Sequence, residues 1–475
     1  MANILQDFAN AVQRHPTRVA IVDGKGRETT FAQLQSRADQ YAAAWHRKGI
    51  TKGSRVLLAM PLDAGLYASL AALWSLGATV ILPEPATGLA GLRHAAKVAG
   101  VTAFCSTGSY GLLKFIVPEL WSLPHLRPAS GPAGLSGRVA VADSDVALIS
   151  FTSGTTDAPK AIPRSHGFLS AQHHAIAPLL DSTKAERDLV AFPVFVLINI
   201  ACGQTSVLPN WKMSRLAAVT PAHVAGWISA QHVTRALVPP SLCDKLAKAD
   251  LPALLHTVFT GGGPVFPDML DRLQGTEPDL RLCCVYGSTE AEPIAHLDAD
   301  TIATADRTNM QNGGGLIVGK PVKGLQLRIV DDEIQVAGAH VNAGYLDPRH
   351  DAENKIKDGT TIWHRTGDAG RLDDQGRLWL LGRIGSDVSL AGKGTYPFAI
   401  EVAVRGWQGV EQCALIENKG AACLVIGGDP AHLADWQAQA SLLHITDVRQ
   451  IARIPMDRRH ASKVDRSALK AWLRT

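Results

Sequence analysis

The sequence has little that would mark an exported or disulfide-bonded protein. Its 475 residues contain seven cysteines, of which only Cys283 and Cys284 are neighbours. Neither a disulfide framework nor a CxxC zinc pair is therefore predicted. The opening stretch MANILQDFANAVQRHP lacks the uninterrupted apolar core of a secretory signal. We expect a cytoplasmic protein with free thiols.

The chain also lacks an excess of charge of either sign. Lys and Arg total 47, Asp and Glu total 43, and the formal net charge is +4. No block of five or six like charges occurs, so no nucleic acid partner is expected. The hydrophobic fraction of 46% and the charged fraction of 19% are typical of a folded globular protein rather than of a disordered one.

One uncharged run, residues 64–82, is close to the length of a transmembrane helix. Gly77 divides it into an Ala- and Leu-rich part and a short β-branched part, and Pro83 ends it. This pattern favours a buried helix over residues 64–76 followed by a buried strand over residues 79–81. We therefore expect no membrane span, and a membrane-attached scaffold is kept as an alternative.

The length predicts more than one domain, because single cores stop growing near roughly 250 to 300 residues. Residues 1–145 alternate helical stretches with short apolar runs, which predicts α/β layering on a largely parallel sheet, and a second α/β stretch continues to about residue 313. Short strands with turn residues follow from residue 315 and predict a small β-rich unit. The last ninety or so residues suit a small α+β domain.

The sharpest motif is FTSGTTDAPK at positions 151–160, directly after an apolar strand. Hydroxyl side chains and backbone N–H groups in such a turn can hold phosphate oxygens, and Lys160 adds a positive charge. The Walker pattern GxxxxGK[ST] is absent, which disfavours a P-loop NTPase. The candidate phosphate-binding residues are Thr152, Ser153, Gly154, Thr155, Thr156 and Lys160.

This loop resembles the phosphate loop of the acyl-adenylate-forming superfamily, which includes AMP-forming acyl-CoA synthetases, peptide-synthetase adenylation domains and luciferases. Four further motifs follow in that family's order: YGSTE at 286–290, WHRTGD at 363–368, Gly382-Arg383, and SKVDRSAL at 462–469. The resemblance implies an α/β fold with a large N-terminal adenylation domain, residues 1–383, built of layered α/β subdomains and a small β-rich subdomain. It also implies a small mobile α+β C-terminal lid domain, residues 384–475.

The resemblance implies an ATP-dependent ligase that converts a small-molecule carboxylic acid to acyl-AMP and pyrophosphate. Attack of a carboxylate on the α-phosphate brings negative charges together, so cations and N–H donors are needed. By resemblance, Glu290 holds Mg²⁺, Thr289 contacts the α-phosphate and Lys463 bridges the acid and the α-phosphate. The nucleotide would also contact Gly261, Gly262, Gly263, Tyr286, Gly287, Ser288, Asp368 and Arg383, with Asp368 on the ribose hydroxyls.

Each of these residues has a simpler structural interpretation. Asp368 could be a turn aspartate, Glu290 a carboxylate at a helix N-terminus, and Lys463 a solvated member of a basic stretch. The glycines at 261–263 could form a flexible loop. We favour the functional interpretation of these residues, because all five motifs occur in the order that the family has.

Three stretches are similar to one branch of the superfamily, the olefin-pathway β-lactone synthetases: FPVFVLINIACG at 192–203, TIWHRTGDAGRLDDQGRLWLLGR at 361–383 and IPMDRRH at 454–460. The first is interpreted as the wall of an apolar acyl pocket, with Phe192, Phe195, Val196 and Asn199 as candidate pocket residues. Ordinary core packing is the alternative for these residues.

The motifs also depart from the family pattern. Asp157 replaces the usual glycine of the phosphate loop, and Gly385 and Ser389 occupy positions where the hinge usually has charged residues. The acyl acceptor therefore stays open between a thiol of CoA or of a phosphopantetheine acyl carrier protein, which family frequency favours, the substrate's own β-hydroxyl, and an amine. A non-catalytic nucleotide-binding homologue is a further alternative, although Glu290 and Lys463 speak against it.

Overall fold

A computed structural model describes residues 4–83, 87–129, 131–132, 138–151, 159–418, 420–455 and 464–473. The α-helices are α1 Leu5–Arg14, α2 Phe31–His46, α3 Ala64–Ser75, α4 Gly88–Val98, α5 Leu113–Ile116, α6 His166–Leu180, α7 Pro193–Cys202, α8 Pro221–Ala230, α9 Pro240–Leu246, α10 Pro267–Thr276, α11 Thr304–Gln311, α12 Asp351–Asn354, α13 Pro397–Arg405, α14 Leu433–Leu442 and α15 Arg466–Trp472.

The strands alternate with these helices along most of the chain. They are β1 Val19–Val22, β2 Glu28–Thr30, β3 Arg55–Ala59, β4 Thr79–Ile81, β5 Ala103–Ser106, β6 His125–Leu126, β7 Val146–Phe151, β8 Ala161–Ser165, β9 Arg187–Val190, β10 Thr205–Val207, β11 Arg235–Val238, β12 Thr257–Gly261, β13 Arg281–Ser288, β14 Ala291–Asp298, β15 Leu316–Pro321, β16 Gln326–Val330, β17 Glu333–Ala337, β18 Lys355–Asp358, β19 Thr361–Leu372, β20 Leu378–Arg383, β21 Val388–Leu390, β22 Lys393–Thr395, β23 Val410–Asn418, β24 Ala421–Gly428 and β25 Asp447–Ile451.

A six-stranded sheet has the order β6-β5-β3-β4-β7-β8 and is parallel apart from the β7–β8 pair. Helix α2 packs against α3 and begins with a capping box, in which Thr30 accepts from the Gln33 backbone and the Gln33 side chain accepts from the Thr30 backbone. The largely parallel sheet predicted for this part of the chain is confirmed.

A second sheet starts with β2-β1-β10-β9-β11-β12-β13 and is parallel from β1 to β13. The first two strands of the chain therefore do not join the sheet formed by the residues that follow them. β1 pairs with β10, which lies about 185 residues later in the sequence, and β2 pairs with β1 at the edge of this sheet. The sequence order of the α/β segments thus does not match their division between the sheets.

The second sheet continues through the antiparallel strands β14 and β15 into β20, β19, β17 and β16. The last of these form the small β-rich unit that was predicted from residue 315 onward. Its strands β19 and β20 carry two of the sequence motifs, so the position of this unit determines the geometry of the candidate site.

The uncharged run at residues 64–82 is part of the core. It forms α3, capped by the Asp63 side chain, and the buried strand β4. The indole of Trp74 donates a hydrogen bond to the Ala147 carbonyl over 2.8 Å, which attaches α3 to β7. Within the described ranges, no helix combines the length and apolarity needed to cross a bilayer.

The last part of the chain has the predicted α+β composition. It contains the β21–β22 hairpin, the three-stranded sheet β23-β24-β25, and the helices α13 to α15. Helix α13 also packs against the preceding domain, since the Phe398 and Phe266 rings lie 6.1 Å apart and Arg405 lies 3.6 Å from Asp268. A boundary at residue 383 stays a prediction, and α13 makes contacts on both sides of it.

Candidate active site

Three residues from separate motifs meet at one edge of the second sheet. The Tyr286 hydroxyl donates to Oδ2 of Asp368 over 2.7 Å, and Nη1 of Arg383 donates to Oδ1 of Asp368 over the same distance. The predicted adenine-slot tyrosine, the ribose aspartate and the hinge arginine are thus in contact, although 97 positions separate the first from the last in the sequence.

Strand pairing explains how two of these residues meet. Asp368 and Arg383 are register partners on the antiparallel strands β19 and β20. Gly367, with a φ of +69°, lets β19 turn immediately before Asp368, a conformation that disfavours side chains with a Cβ. Burial raises the pKa of Tyr286 well above its usual range, and the neighbouring Asp368 carboxylate raises it further, so Tyr286 acts as a hydrogen-bond donor at neutral pH.

Glu290 lies in the turn between β13 and β14 and is held by two contacts. Its Oε1 accepts a hydrogen bond from the Tyr345 hydroxyl over 2.9 Å, and its backbone carbonyl accepts from the Asn342 N–H over 2.7 Å. In the part of the chain that the structure describes, no cluster of three His, Cys, Asp or Glu side chains could hold a metal ion. A single carboxylate suits Mg²⁺, which takes its remaining ligands from substrate phosphates and water.

Two lysines lie beside this carboxylate. The ammonium groups of Lys160 and Lys355 are 5.5 and 5.4 Å from the centre of the Tyr345 ring, and Lys355 donates a hydrogen bond to the Asn342 carbonyl. Burial lowers the pKa of Lys355 to about 8, and the negative charge of Glu290 opposes this effect. A candidate metal ligand, Glu290, thus lies near two cations that could bind phosphate oxygens, Lys160 and Lys355.

His364 completes the surroundings of these lysines. It is buried, and its Nδ1 donates to the Asn354 carbonyl over 3.2 Å. Burial, assisted by the nearby Lys355 charge, lowers the pKa of His364 to about 4, so the ring is neutral at physiological pH. It therefore adds no positive charge to the group.

A buried arginine, Arg164, forms a hydrogen bond to the backbone of the YGSTE motif. Arg164 on β8 is 5% exposed and donates from Nη2 to the Thr289 carbonyl over 2.7 Å. Its guanidinium also interacts electrostatically with Glu292 and Glu290. Thr289, the predicted α-phosphate residue, is thus held by a charged donor that belongs to no motif.

An apolar cavity with about 450 Å³ of empty space, part of which is open solvent, lies next to the glycine-rich segment 261–263. Phe192 and Phe195 line it. Val196 and Asn199 do not line this cavity and are fully buried: Val196 packs in a core cluster that includes residues of both sheets, and the Asn199 amide donates to Ser206 over 3.2 Å. The assignment of these four residues to the substrate pocket stays a prediction.

Close contacts or a positive φ disfavour a side chain at three glycines of this region, Gly261, Gly262 and Gly287. A Cβ on Gly261 would lie 2.4 Å from the Val285 carbonyl oxygen, and one on Gly287 would lie 2.9 Å from the Ala291 oxygen. Gly262 has a φ of +75°, and its Cα faces the Phe192 ring, so it borders the cavity. Gly263 lies near Pro240. Ser288 ends β13, and its buried hydroxyl has no hydrogen-bond partner among the described residues.

Several predicted site residues lie outside the described ranges. These are Thr152, Ser153, Gly154, Thr155 and Thr156 of the phosphate loop, Asp157, and Lys463. The motif that contains Lys463 is described from Val464 onward. There Arg466 donates to Glu401 over 2.6 Å, and the Asp465 N–H donates to the Pro455 carbonyl over 2.9 Å.

The sequence motifs did not identify four polar residues of this region: Arg164, Glu292, Tyr345 and Lys355. Arg164 lies four residues after Lys160, and Glu292 lies two residues after Glu290. Such closeness in sequence to a motif is only a weak indication that a residue belongs to the site. Tyr345 and Lys355 lie in the connection before WHRTGD. Only the tertiary fold places their side chains beside Glu290.

Comparison with known proteins agrees with the motifs and the fold. The profile of the family described as "AMP-binding enzyme" matches residues 8–346. An olefin beta-lactone synthetase from Stenotrophomonas maltophilia is 28% identical, covering 93% of this chain and 90% of that protein. An amide bond synthetase structure from Marinactinospora thermotolerans superposes with a TM-score of 0.82 at 23% identity, covering 98% of this chain and 99% of the other.

A third relative is an o-succinylbenzoate coenzyme A synthetase from Bacillus subtilis, solved in complex with ATP and a magnesium ion. It superposes with a TM-score of 0.78 at 20% identity, covering 98% of this chain and 99% of the other. These likenesses confirm the predicted fold class, and the family profile extends over well more than half of the sequence. The chain therefore belongs to the AMP-binding enzyme family and is an ATP-dependent, AMP-forming ligase.

Proposed function

We propose that this enzyme activates an apolar carboxylic acid with MgATP and passes the acyl group to an acceptor. The observation that carries the proposal is the adjacency of two features. The Tyr286–Asp368–Arg383 contacts suit a nucleoside, and Gly262, in the glycine segment next to them, borders the apolar cavity lined by Phe192. An acid in the cavity would direct its carboxylate towards the α-phosphate of a nucleotide bound at the sheet edge.

In the first step, an oxygen of the acid carboxylate attacks the α-phosphorus of ATP, and the bond from that phosphorus to pyrophosphate breaks. Asp368 would accept hydrogen bonds from the ribose hydroxyls, and Arg383 would hold Asp368 in place. Thr289 would contact the α-phosphate from a backbone fixed by Arg164. Lys463 would bridge the two negatively charged reactants and so lower their repulsion.

Glu290 would hold Mg²⁺, which when bound neutralises part of the triphosphate charge. Tyr345 would orient the Glu290 carboxylate through its hydroxyl. Lys160 and Lys355 would face the phosphates that leave as pyrophosphate. Lys160 and Lys355 would therefore stabilise the negative charge of the leaving pyrophosphate, whereas Lys463 would stabilise that of the attacking acid.

For the second step we propose transfer to a thiol, either of CoA or of a phosphopantetheine arm on an acyl carrier protein. The bond between the acyl carbon and the AMP oxygen breaks as the thiol sulfur attaches to that carbon. The CoA synthetase relative supports this choice. Gly385, with a φ of +74°, occupies a turn of the hinge where a charged residue would be strained, which accounts for one departure from the family pattern.

A second candidate is β-lactone closure by the substrate's own hydroxyl. The olefin beta-lactone synthetase relative, which aligns over most of both chains, supports it. The amide bond synthetase relative makes an amine the third acceptor to be tested.

Pyrophosphate release with a panel of acids tests the first step. We expect release that depends on both the acid and Mg²⁺, and its absence with every acid would favour a non-catalytic nucleotide-binding protein. A β-hydroxy acid supplied without CoA then separates the acceptors, because lactone forms without a thiol only in the second case. We place the reaction in the cytoplasm, where ATP is available and where all seven cysteines would stay reduced, as they are here.

A further inference from the structure

Among the described residues that line the apolar cavity, one is ionisable. The described wall consists mostly of aliphatic and aromatic groups, and the carboxyl group of Glu292 is part of it. The apolar side chains that line the cavity include Leu179, Leu180, Phe192, Phe195 and Phe259. A carboxyl group in such a wall is unusual, because removing it from water without a partner is costly.

Glu292 is held by its backbone and leaves its carboxyl group available. Its carbonyl accepts a hydrogen bond from the Gln172 side chain over 3.2 Å, which fixes the start of β14. Among the residues that the structure describes, none donates a hydrogen bond to the Glu292 carboxyl oxygens. The nearby positive charge of Arg164 interacts with Glu292 electrostatically, while its Nη2 hydrogen bond goes to Thr289.

The position of Glu292 within the cavity follows from its neighbours. The Cα of Glu292 lies against Gly287 of the YGSTE motif, where an added Cβ would come within 3.2 Å of it, and Arg164 interacts electrostatically with both Glu292 and Glu290. Glu292 therefore lies where the cavity approaches the YGSTE motif, the end that would face the nucleotide under the proposed function. An acid bound with its carboxylate at the α-phosphate would place its first few carbons near Glu292, and its remaining apolar body against the phenylalanine and leucine side chains.

Filling the cavity with a wholly apolar acid would remove the remaining water from the Glu292 carboxyl group and supply no donor in return. A buried polar group without a hydrogen-bond partner is unfavourable, and a charged group without one is more so. A site built around such a group rejects ligands that lack the matching partner. The cavity is thus better suited to an acid with a polar donor near its carboxylate.

We propose that Glu292 selects acids that carry a hydrogen-bond donor, a hydroxyl or amino group, on carbon 2 or 3. This inference rests on the proposed function, since it takes the cavity to be the acyl pocket, and it adds the substrate class. The donor hydrogen bonds to the Glu292 carboxyl group while the rest of the chain packs on the apolar wall. Glu292 is a specificity-determining residue in this arrangement and takes no part in the bond changes at phosphorus.

The test compares matched acids that differ only in the donor: plain, 2- or 3-hydroxy, and 2- or 3-amino forms of one aliphatic and one aryl-alkyl acid. Pyrophosphate release gives kcat/KM, and calorimetry gives affinity in the presence of AMP. We expect the wild type to prefer at least one donor-bearing acid over its plain partner by about tenfold or more. The variant Glu292→Leu should reduce that ratio below about threefold, mainly by improving the plain acid.

The variant Glu292→Gln distinguishes hydroxyl donors from ammonium donors. Because it keeps the size of the side chain, it is also less prone to misfold than Glu292→Leu. It keeps the shape and an acceptor oxygen, so a preference for a hydroxy acid should persist within about threefold, whereas a preference for an ammonium group should fall by about tenfold or more. The matched control is Glu411→Leu, on an exposed site of β23. It should leave every ratio unchanged.

The outcomes distinguish this inference from the proposed function. Equal rates of pyrophosphate release from plain and donor-bearing acids, or a ratio that Glu292→Leu leaves unchanged, would overturn the role of Glu292 and leave acid activation standing. Binding of acids with the expected preference but without pyrophosphate release would support Glu292 as the selective residue and overturn the proposed function.

Discussion

Tyr345 donates its hydroxyl hydrogen to Oε1 of Glu290 over 2.9 Å. The contact joins the connection before WHRTGD to the YGSTE motif, and the centre of the Tyr345 ring lies 5.5 and 5.4 Å from the ammonium groups of Lys160 and Lys355. One carboxylate oxygen of Glu290 is thus oriented by a phenol, and the other has no hydrogen bond from the described residues. A carboxylate oriented in this way can offer its second oxygen to a metal ion.

Replacing Tyr345 by Phe should weaken metal use with little effect on the fold. The ring keeps its place near the two lysines, but Glu290 loses its orienting donor, and such partners of metal ligands are worth about 10- to 100-fold in affinity or activity. We expect the Mg²⁺ concentration for half-maximal pyrophosphate release to rise by about tenfold, and calorimetric binding of ATP without metal to change by less than about threefold.

The control for this change is Tyr110→Phe, because Tyr110 is exposed and outside the site. An unaltered Mg²⁺ requirement in the Tyr345 variant would show that Glu290 needs no orienting partner, or that the metal is held elsewhere.

Asp368 should contribute strongly to nucleotide affinity. It is placed for the ribose by Tyr286 and Arg383, and hydrogen bonds to charged groups are worth about 1.5–3 kcal/mol each. We expect Asp368→Ala to raise the Kd for ATP by roughly 10- to 100-fold in calorimetry, since about 1.4 kcal/mol corresponds to a factor of ten. Asp374→Ala changes an exposed carboxylate of the same unit and should have no effect. Comparable affinities for both variants would remove Asp368 from the nucleotide site.

The sequence predicted the architecture well where local signals and fold constraints agree. The helix and strand expected at residues 64–81 are α3 and β4, because Gly77 and Pro83 mark where the periodicity changes. The pairing of the N-terminal strands β1 and β2 with the second sheet was not foreseen. Strand pairing between residues 185 positions apart, such as Ile21 and Ser206, is not indicated by any periodicity of the sequence.

The site was predictable only as far as its motifs extend. Tyr286, Asp368 and Arg383 belong to motifs, and the structure brings them into contact. Composition does not give the rotation of a helix, so the apolar sequence of α7 could not show which of its side chains line the cavity and which, like Val196, pack in a core cluster. Glu292 and Lys355 gained their positions from tertiary packing alone.

Lys463 lies outside the described residues, so its role stays a prediction from its motif. We expect Lys463→Ala to slow acid-dependent pyrophosphate release by about 100-fold or more, because one preorganised donor at a developing charge is worth about that factor. ATP binding should change by less than about threefold, since the lysine acts mainly in the transition state. The control is Lys470→Ala, at an exposed position of α15. Unchanged pyrophosphate release would refute the assignment.

Asp373 should make stability depend on pH through the hairpin that holds Asp368 opposite Arg383. It lies between β19 and β20. Burial works against its ionisation, but hydrogen bonds from the Trp379 indole, the backbone N–H groups of Arg377 and Gln375, and the Arg377 guanidinium outweigh burial and hold its pKa at about 2. The carboxylate is therefore more stable in the folded than in the unfolded chain.

Because the folded pKa lies below the unfolded value, the stabilisation is complete above about pH 4 and is lost as the pH falls from about 4 to about 2. At about 1.4 kcal/mol per pKa unit, it amounts to about 2 kcal/mol near neutrality. Asp373→Asn should lower the urea midpoint at pH 7, and the difference from the wild type should roughly halve by pH 3. Asp374→Asn, at the exposed neighbour, should match the wild type throughout. A difference that stays constant down to pH 3 would mean that the Asp373 charge contributes nothing and that only the shape of its hydrogen bonds matters.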